Sequence, residues 1–228
     1  EVSTRHVSFL ETGRSQPSRD MLLHLAEELD VPLRDRNSLL VAAGFAPVFA
    51  ERPLDDPALN ATREAVELVL AGHEPYPALA VDRHWTLVTA NRAVGILMEG
   101  LAPELLEPPI NVLRLSLHPQ GLASRIDNLR QWRDHVLHRL TRQVDVSGDA
   151  TLAALLEELR GYPVPEATPD SKARDFGGVV VPLRIRTSLG TLSFFGTITV
   201  FGTPVDITLA ELAIESFFPA DRDTAEAL

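Results

Sequence analysis

Asn111, Arg114 and His118 stand three and then four residues apart in "NVLRLSLHP", so a helical turn would carry them on one face. Asn128 and Trp132 in "NLRQW" are also four apart. Amide, guanidinium, imidazole and indole in this spacing are groups that hold a ligand rather than react with one. A buried arginine is costly unless an anion meets it. An apolar chamber with a cation and an amide at its mouth therefore suits a small amphiphile with a carboxylate head, such as a fatty acid. At the surface, Arg114 would instead pair with a protein acid. With Asn91, these residues form the candidate ligand-binding set.

Other chemistries find no support. The chain has no cysteine, which excludes disulfides, thiolate zinc sites and cysteine nucleophiles together. There is no Gly-x-Ser-x-Gly, no phosphate-cradling glycine loop and no His-Glu-x-x-His. Gly177-Gly178 leads into a predicted strand, not a helix N-terminus. His135 and His138 are three apart, a spacing that can hold a metal, but no carboxylates stand at matching positions. No catalytic residue, metal ligand or cofactor is assigned, and an enzyme is not expected.

Charge divides the chain. Residues 1–50 hold five arginines against seven acids, and residues 51–228 hold 16 basic against 25 acidic residues. The whole carries −11, so any contact with the phosphate backbone falls to the smaller, less acidic part. No apolar run approaches the ~18–20 residues of a membrane span. No basic segment followed by an apolar core opens the chain, so the expected setting is a soluble cytoplasmic protein with no membrane partner.

Short helices and strands must position these groups. Thr4 to Leu10 reads as a helix capped by Ser3 and closed near Gly13. Val7 and Leu10 face one side, leaving Thr4, Arg5, Ser8 and Phe9 free. A second helix starts at the Ser18 cap, with Met21, Leu22, Leu25 and Leu29 as its apolar stripe. A third runs from about Leu33 to Ala43, with Leu33, Leu39, Leu40 and Ala43 inward. Five prolines then break residues 44–82, between which "PALNATREAVELVLAG" reads as a linking helix or, alternatively, as an extension of the first bundle.

Beyond it, "PALAVD" and "WTLVTAN" form a predicted hairpin, and Asn91 caps a helix. The stretch 111–144 is helical with one break at His118-Pro119, after which Leu122, Ile126, Leu129, Val136 and Leu140 line a long face. Asp149 caps a further helix. The β-branched and aromatic run 177–221 reads as three antiparallel strands. Leu192, Phe194, Ile198, Val200 and Leu212, closed by Leu97, Leu113, Leu117 and Trp132, would form the apolar interior.

Two resemblances follow. "VSTRHVSFLETGRSQPSRDMLLHLAEELDVP" resembles the C-terminal half of the XRE-family helix-turn-helix domain, through Glu11, Gly13, Arg14, Pro17 and Ser18. The match implies that Thr4, Arg5, Ser8 and Phe9 face bases in the major groove while Arg14 meets phosphate. Phe9 departs from the polar residue expected there, and a thymine methyl is its alternative contact. That family has two helices before Ser3, so the resemblance implies roughly 25 further residues ahead of residue 1 and weak DNA binding without them. The bland alternative is a surface bundle with no DNA role.

From about residue 75 onward, "ALAVDRHWTLVTANRA", "NVLRLSLHPQGLASRIDNLRQW", "GDATLAALLEELRGYPVP" and "ELAIESFFPADRDTA" resemble the PAS-like ligand-binding domain of MmyB-like regulators. The expected architecture is α+β. It comprises the C-terminal part of a helix-turn-helix domain over 1–48, a linker with a helix over 49–74, and a PAS-like domain with a five-stranded antiparallel sheet over 75–228. The implied function is a bacterial one-component transcriptional regulator, a homodimer on a double-stranded DNA operator, answering to a small apolar ligand. A PAS-like dimerisation or protein-interaction module without an effector is the alternative.

Overall fold

The computed structural model of the protein describes residues 4–164 and 180–228, so Ser3 and Gly177-Gly178 lie outside the described residues. The chain divides into two compact units. One is Glu1–Asn60 with Phe201–Glu211; the other is Ala61–Val200 with Leu212–Leu228.

In the first unit, α1 (Thr4–Glu11) ends where Gly13 takes φ +69°, a conformation that glycine adopts without a Cβ penalty. The Arg14 amide then donates to the Phe9 carbonyl. The Ser18 hydroxyl accepts from the Met21 amide and starts α2 (Arg19–Glu28), which packs on α3 (Leu33–Ala42). Ala26 and Leu40 are buried between polar faces, whereas Leu29 and Leu39 are exposed. Leu29 follows the last helical residue of α2 and so leaves the stripe that its spacing predicted.

Residues 201–211 complete this unit, an arrangement with no counterpart in the linear reading. Their helical turn, Ile207–Ala210, is capped by Asp206, whose carboxylate also takes Arg52 Nη1 at 2.9 Å. Arg34 spans Glu211 at 2.7 Å and Glu51 at 2.5 Å. Those two carboxylates raise the Arg34 pKa, against the opposing effect of burial.

The second unit opens with α4 (Asn60–Gly72), whose Val66 and Leu70 are buried. The helix expected in a 49–74 linker therefore belongs to this unit, because its apolar stripe has a surface to cover. Strands β1 (Ala78–Val81) and β2 (Leu87–Ala90) follow, then a 3-10 turn and the short α5 (Gly95–Met98). Next come α6 (Val112–Leu117), α7 (Leu129–Ser147) and α8 (Ala150–Arg160). Strands β3 (Leu183–Thr187), β4 (Gly190–Val200) and β5 (Ala213–Pro219) complete the sheet.

The five-stranded sheet has the order β2-β1-β5-β4-β3, with every pair antiparallel. Its middle strand, β5, is thus the last to arrive. The period-2 alternation of β5 turns Ala213, Glu215 and Phe217 to one face and Ile214 and Ser216 to the other. Apart from partly buried Ala213, all are buried. One core cluster joins the sheet residues Leu79, Leu192, Phe194 and Phe217 to Leu97, Leu113, Trp132, Val136, Leu140 and Leu156 on the helices.

Two expectations change here. The helical face predicted to run unbroken from Leu122 is interrupted, since residues 122–125 form a 3-10 turn and Ile126 bridges to Ile185 before α7 begins. The Asp127 amide donates to the Arg184 carbonyl across that break. Ile198 and Val200 are exposed rather than interior, because β4 runs on beyond its pairing with β3.

Candidate functional site

Between sheet and helices of the second unit lies a small, partly open cavity of about 50 Å³. Its walls are apolar: Leu79 from β1, Leu97 and Met98 from α5, Leu113 from α6, Trp132 from α7 and Phe217 from β5 are among them. Three polar side chains interrupt this lining, namely Ser116, Arg139 and Glu215.

Each is placed by its element. Ser116 lies on α6, and its hydroxyl accepts from Trp132 Nε1 at 2.8 Å, so the indole edge is satisfied and its face is left to the cavity. Glu215 projects from the central strand with only 8% of its side chain exposed. Arg139 reaches it from α7, Nη1 to Oε1 at 3.1 Å. The guanidinium carbon sits 4.3 Å from the ring centre of Trp85, a cation–π contact.

The β1–β2 turn sets that indole in place. Trp85 holds φ +65°, a left-handed conformation that strains a residue with a bulky side chain. Asp82 Oδ1 accepts from the His84 and Thr86 amides, and Trp85 Nε1 donates to Gln143 Oε1 at 2.9 Å. Gln143 in turn donates to the Arg83 carbonyl. One side of α7 thus carries Arg139 and Gln143, both engaged by the turn. Asp149, the α8 cap, receives His84 Nε2 at 3.0 Å and Arg83 at 3.3 Å. Burial opposes ionisation of Asp149, but His84 and the Thr151 and Leu152 amides hold its pKa down at about 2.

The six residues chosen from sequence do not converge. Trp132 lines the cavity, and the other five are engaged elsewhere. Asn91 spends its amide on backbone, accepting from the Ala78 amide and donating to the Leu70 and Tyr76 carbonyls. Its side chain makes no capping bond to the turn that follows. Asn111 caps α6 through the Arg114 amide and donates to the His84 carbonyl. Asn128 joins the start of α7 to β3, donating to the Pro182 carbonyl and accepting from the Arg184 amide.

Arg114 is paired with Glu158 at 2.6 and 2.8 Å, and Glu158 also takes the Tyr162 hydroxyl. The Arg114 hydrogen bond, helped by Tyr162 and opposed by burial, lowers Glu158 to about 2. Burial and then Glu158 raise Tyr162 to about 12. His118 stacks edge-on against Tyr162 and accepts from the Gln120 amide. The predicted carboxylate anchor is therefore occupied by a protein acid, and the polar groups at the cavity are Arg139 and Glu215.

A sequence signal for both existed. "AIESFF" puts an acid between Ala213 and Phe217 on an inward face, and Arg139 continues the Trp132–Val136 line of α7.

In the first unit, Thr4, Ser8 and Arg14 are exposed, and Phe9 is half-buried. Thr4 and Ser8 stand one turn apart on α1. The Arg5 side chain lies outside the described residues. Burial, followed by the nearby charges of Arg139 and His138, lowers the pKa of His135. Among the described residues, no group of three or more His, Cys, Asp or Glu side chains stands close enough to hold a metal ion. No helix among them is long and apolar enough to cross a membrane.

Comparison with known families gives a match. The model of the MmyB-like transcription regulator ligand binding domain covers residues 62–228. No curated protein matches the chain.

Proposed function

The chain belongs to the family of the MmyB-like transcription regulator ligand binding domain, a family of regulators rather than enzymes, and from that premise we propose a one-component regulator that senses an apolar metabolite. The cavity carries this reading. It offers about 50 Å³ behind walls that are apolar apart from Ser116, Arg139 and Glu215. Well-packed cores leave few voids larger than a water molecule, so this apolar gap between sheet and helices marks where a ligand's chain would enter. An elongated hydrocarbon with one polar end, such as a fatty acid entering with its head group neutral, suits such a lining.

The DNA-reading part of the proposal is the XRE-type helix-turn-helix. Thr4, Arg5, Ser8 and Phe9 would read base edges, and Arg14 would set the register on phosphate. Exposure of Thr4, Ser8 and Arg14 supports the assignment. Paired recognition helices need half-sites about one helical turn apart, so the active species is a homodimer on a palindromic operator. Exposed Ile198 and Val200 offer apolar surface for pairing. Effector binding changes DNA affinity only by favouring one arrangement of the reading and sensing parts over another.

Two measurements test the reading. Mass spectrometry of small molecules extracted from the purified protein should find an apolar metabolite. Adding it back should raise the unfolding temperature with the logarithm of its excess over Kd and shift the protein's binding to DNA selected from a random pool. A strongly polar ligand, or full-length protein indifferent to every duplex, would overturn it.

A further inference from the structure

We infer that the Arg139–Glu215 pair reads the polar end of the effector and selects a neutral group that both donates and accepts hydrogen bonds, such as a primary amide, over a carboxylate. The inference rests on the apolar-effector reading and adds the head group to it.

The pair is a built feature of the cavity wall. Glu215 is more than nine-tenths buried, yet its one protein hydrogen bond is made through Oε1, which leaves Oε2 without a partner among the described residues. Arg139 donates through Nη1, and its Nε is buried with no acceptor. Unmet donors and acceptors at the edge of an apolar space are costly, and a native structure keeps few of them. Trp85 fixes the guanidinium from one side at 4.3 Å while holding a strained φ of +65°. Such strain persists only where the surrounding structure over-determines it.

Arg139 and Glu215 both line the cavity, so one ligand head could meet the two of them. A primary amide donates its N–H to Glu215 Oε2 and accepts a hydrogen bond from the guanidinium through its carbonyl oxygen. The site then remains neutral. A carboxylate brings a second anion beside Glu215, so the cavity would hold two anions against one cation in apolar surroundings. It enters only as the neutral acid or with Glu215 protonated, taking up a proton from solvent in either case.

Isothermal titration of the full chain with decanamide and decanoate tests this. At pH 8, decanamide should bind at least ~10-fold more tightly, about 1.4 kcal/mol. Decanoate should take up about one proton, read from buffers of different ionisation enthalpy, and the gap should narrow toward pH 6. Glu215→Gln should abolish or reverse the preference by freeing the guanidinium for an anion. Decanoate binding as tightly as decanamide at pH 8 without proton uptake would overturn the inference and leave the apolar-effector reading intact. An unchanged preference in folded Glu215→Gln would do the same. Parent protein that binds neither compound would remove the effector reading and the head-group inference with it. Proton uptake by the parent needs no variant, so the test survives a Glu215→Gln chain that fails to fold.

Discussion

Arg139→Met should destabilise the second unit by about 3 kcal/mol. Glu215 has 8% of its side chain exposed and Arg139 24%, so the ion pair lies largely out of water. Removing one partner of a buried pair costs about 3–5 kcal/mol, because the remaining charge loses its compensation. The partial exposure of Arg139 lets some solvent reach the survivor and places the effect at the low end. For a unit of this size each kcal/mol lowers Tm by about 2–4 °C, giving a drop of about 6–12 °C. The double variant Arg139→Met, Glu215→Leu removes both charges and should recover most of the loss, since apolar replacements of buried pairs are often neutral or stabilising. Both variants lose the contact with Trp85, so that contribution cancels between them. The chain's two tryptophans, Trp85 and Trp132, both lie in the second unit, so urea unfolding followed by their fluorescence isolates it. A single variant within about 0.5 kcal/mol of the parent, or a double no more stable than the single, would refute a desolvated pair.

Three further outcomes are expected. Asn91→Ala should cost about 2–3 kcal/mol in the same assay, because the buried Ala78 amide loses its acceptor, and should leave effector affinity unchanged because Asn91 does not line the cavity. Gly121→Ala should destabilise by more than ~1 kcal/mol, since a Cβ there meets the Leu115 carbonyl oxygen far inside van der Waals contact; normal stability would mean that the turn after α6 moves freely. Acid should weaken the second unit through Asp149 and Glu158, both held at about 2 in the fold. Depressed carboxylate pKa values confer stability that is complete above their unfolded values near 4 and is lost as pH falls toward 2. Asp149→Asn with Glu158→Gln should flatten urea midpoints across that window, and an unaltered slope would assign acid sensitivity to other groups.

Local pattern was enough for much of the fold. The short apolar runs "PALAVD" and "WTLVTAN", the Asp149 cap and the three strands expected in the run 177–221 are read from neighbouring residues, and hairpin, capped helix and strands form within those stretches. Failures arose where a residue's role depends on partners distant in sequence. Arg114 had the type and spacing of an anion anchor, but Glu158, 44 residues away, takes it. Asn91 had the look of a cap, but three backbone groups, on α4, on β1 and on the turn between them, claim its amide.

By itself, the sequence determined which segments coil and which extend, the lack of thiol chemistry, the acidity of residues 51–228 and their family. Those properties depend on composition and on contacts a few residues long. Tertiary structure alone decided that β5 closes the sheet between β1 and β4, and that residues 201–211 join the first unit. It alone set Glu215 against Arg139 across 76 residues of chain. Such pairings follow from which faces must be buried together, and no local period records that.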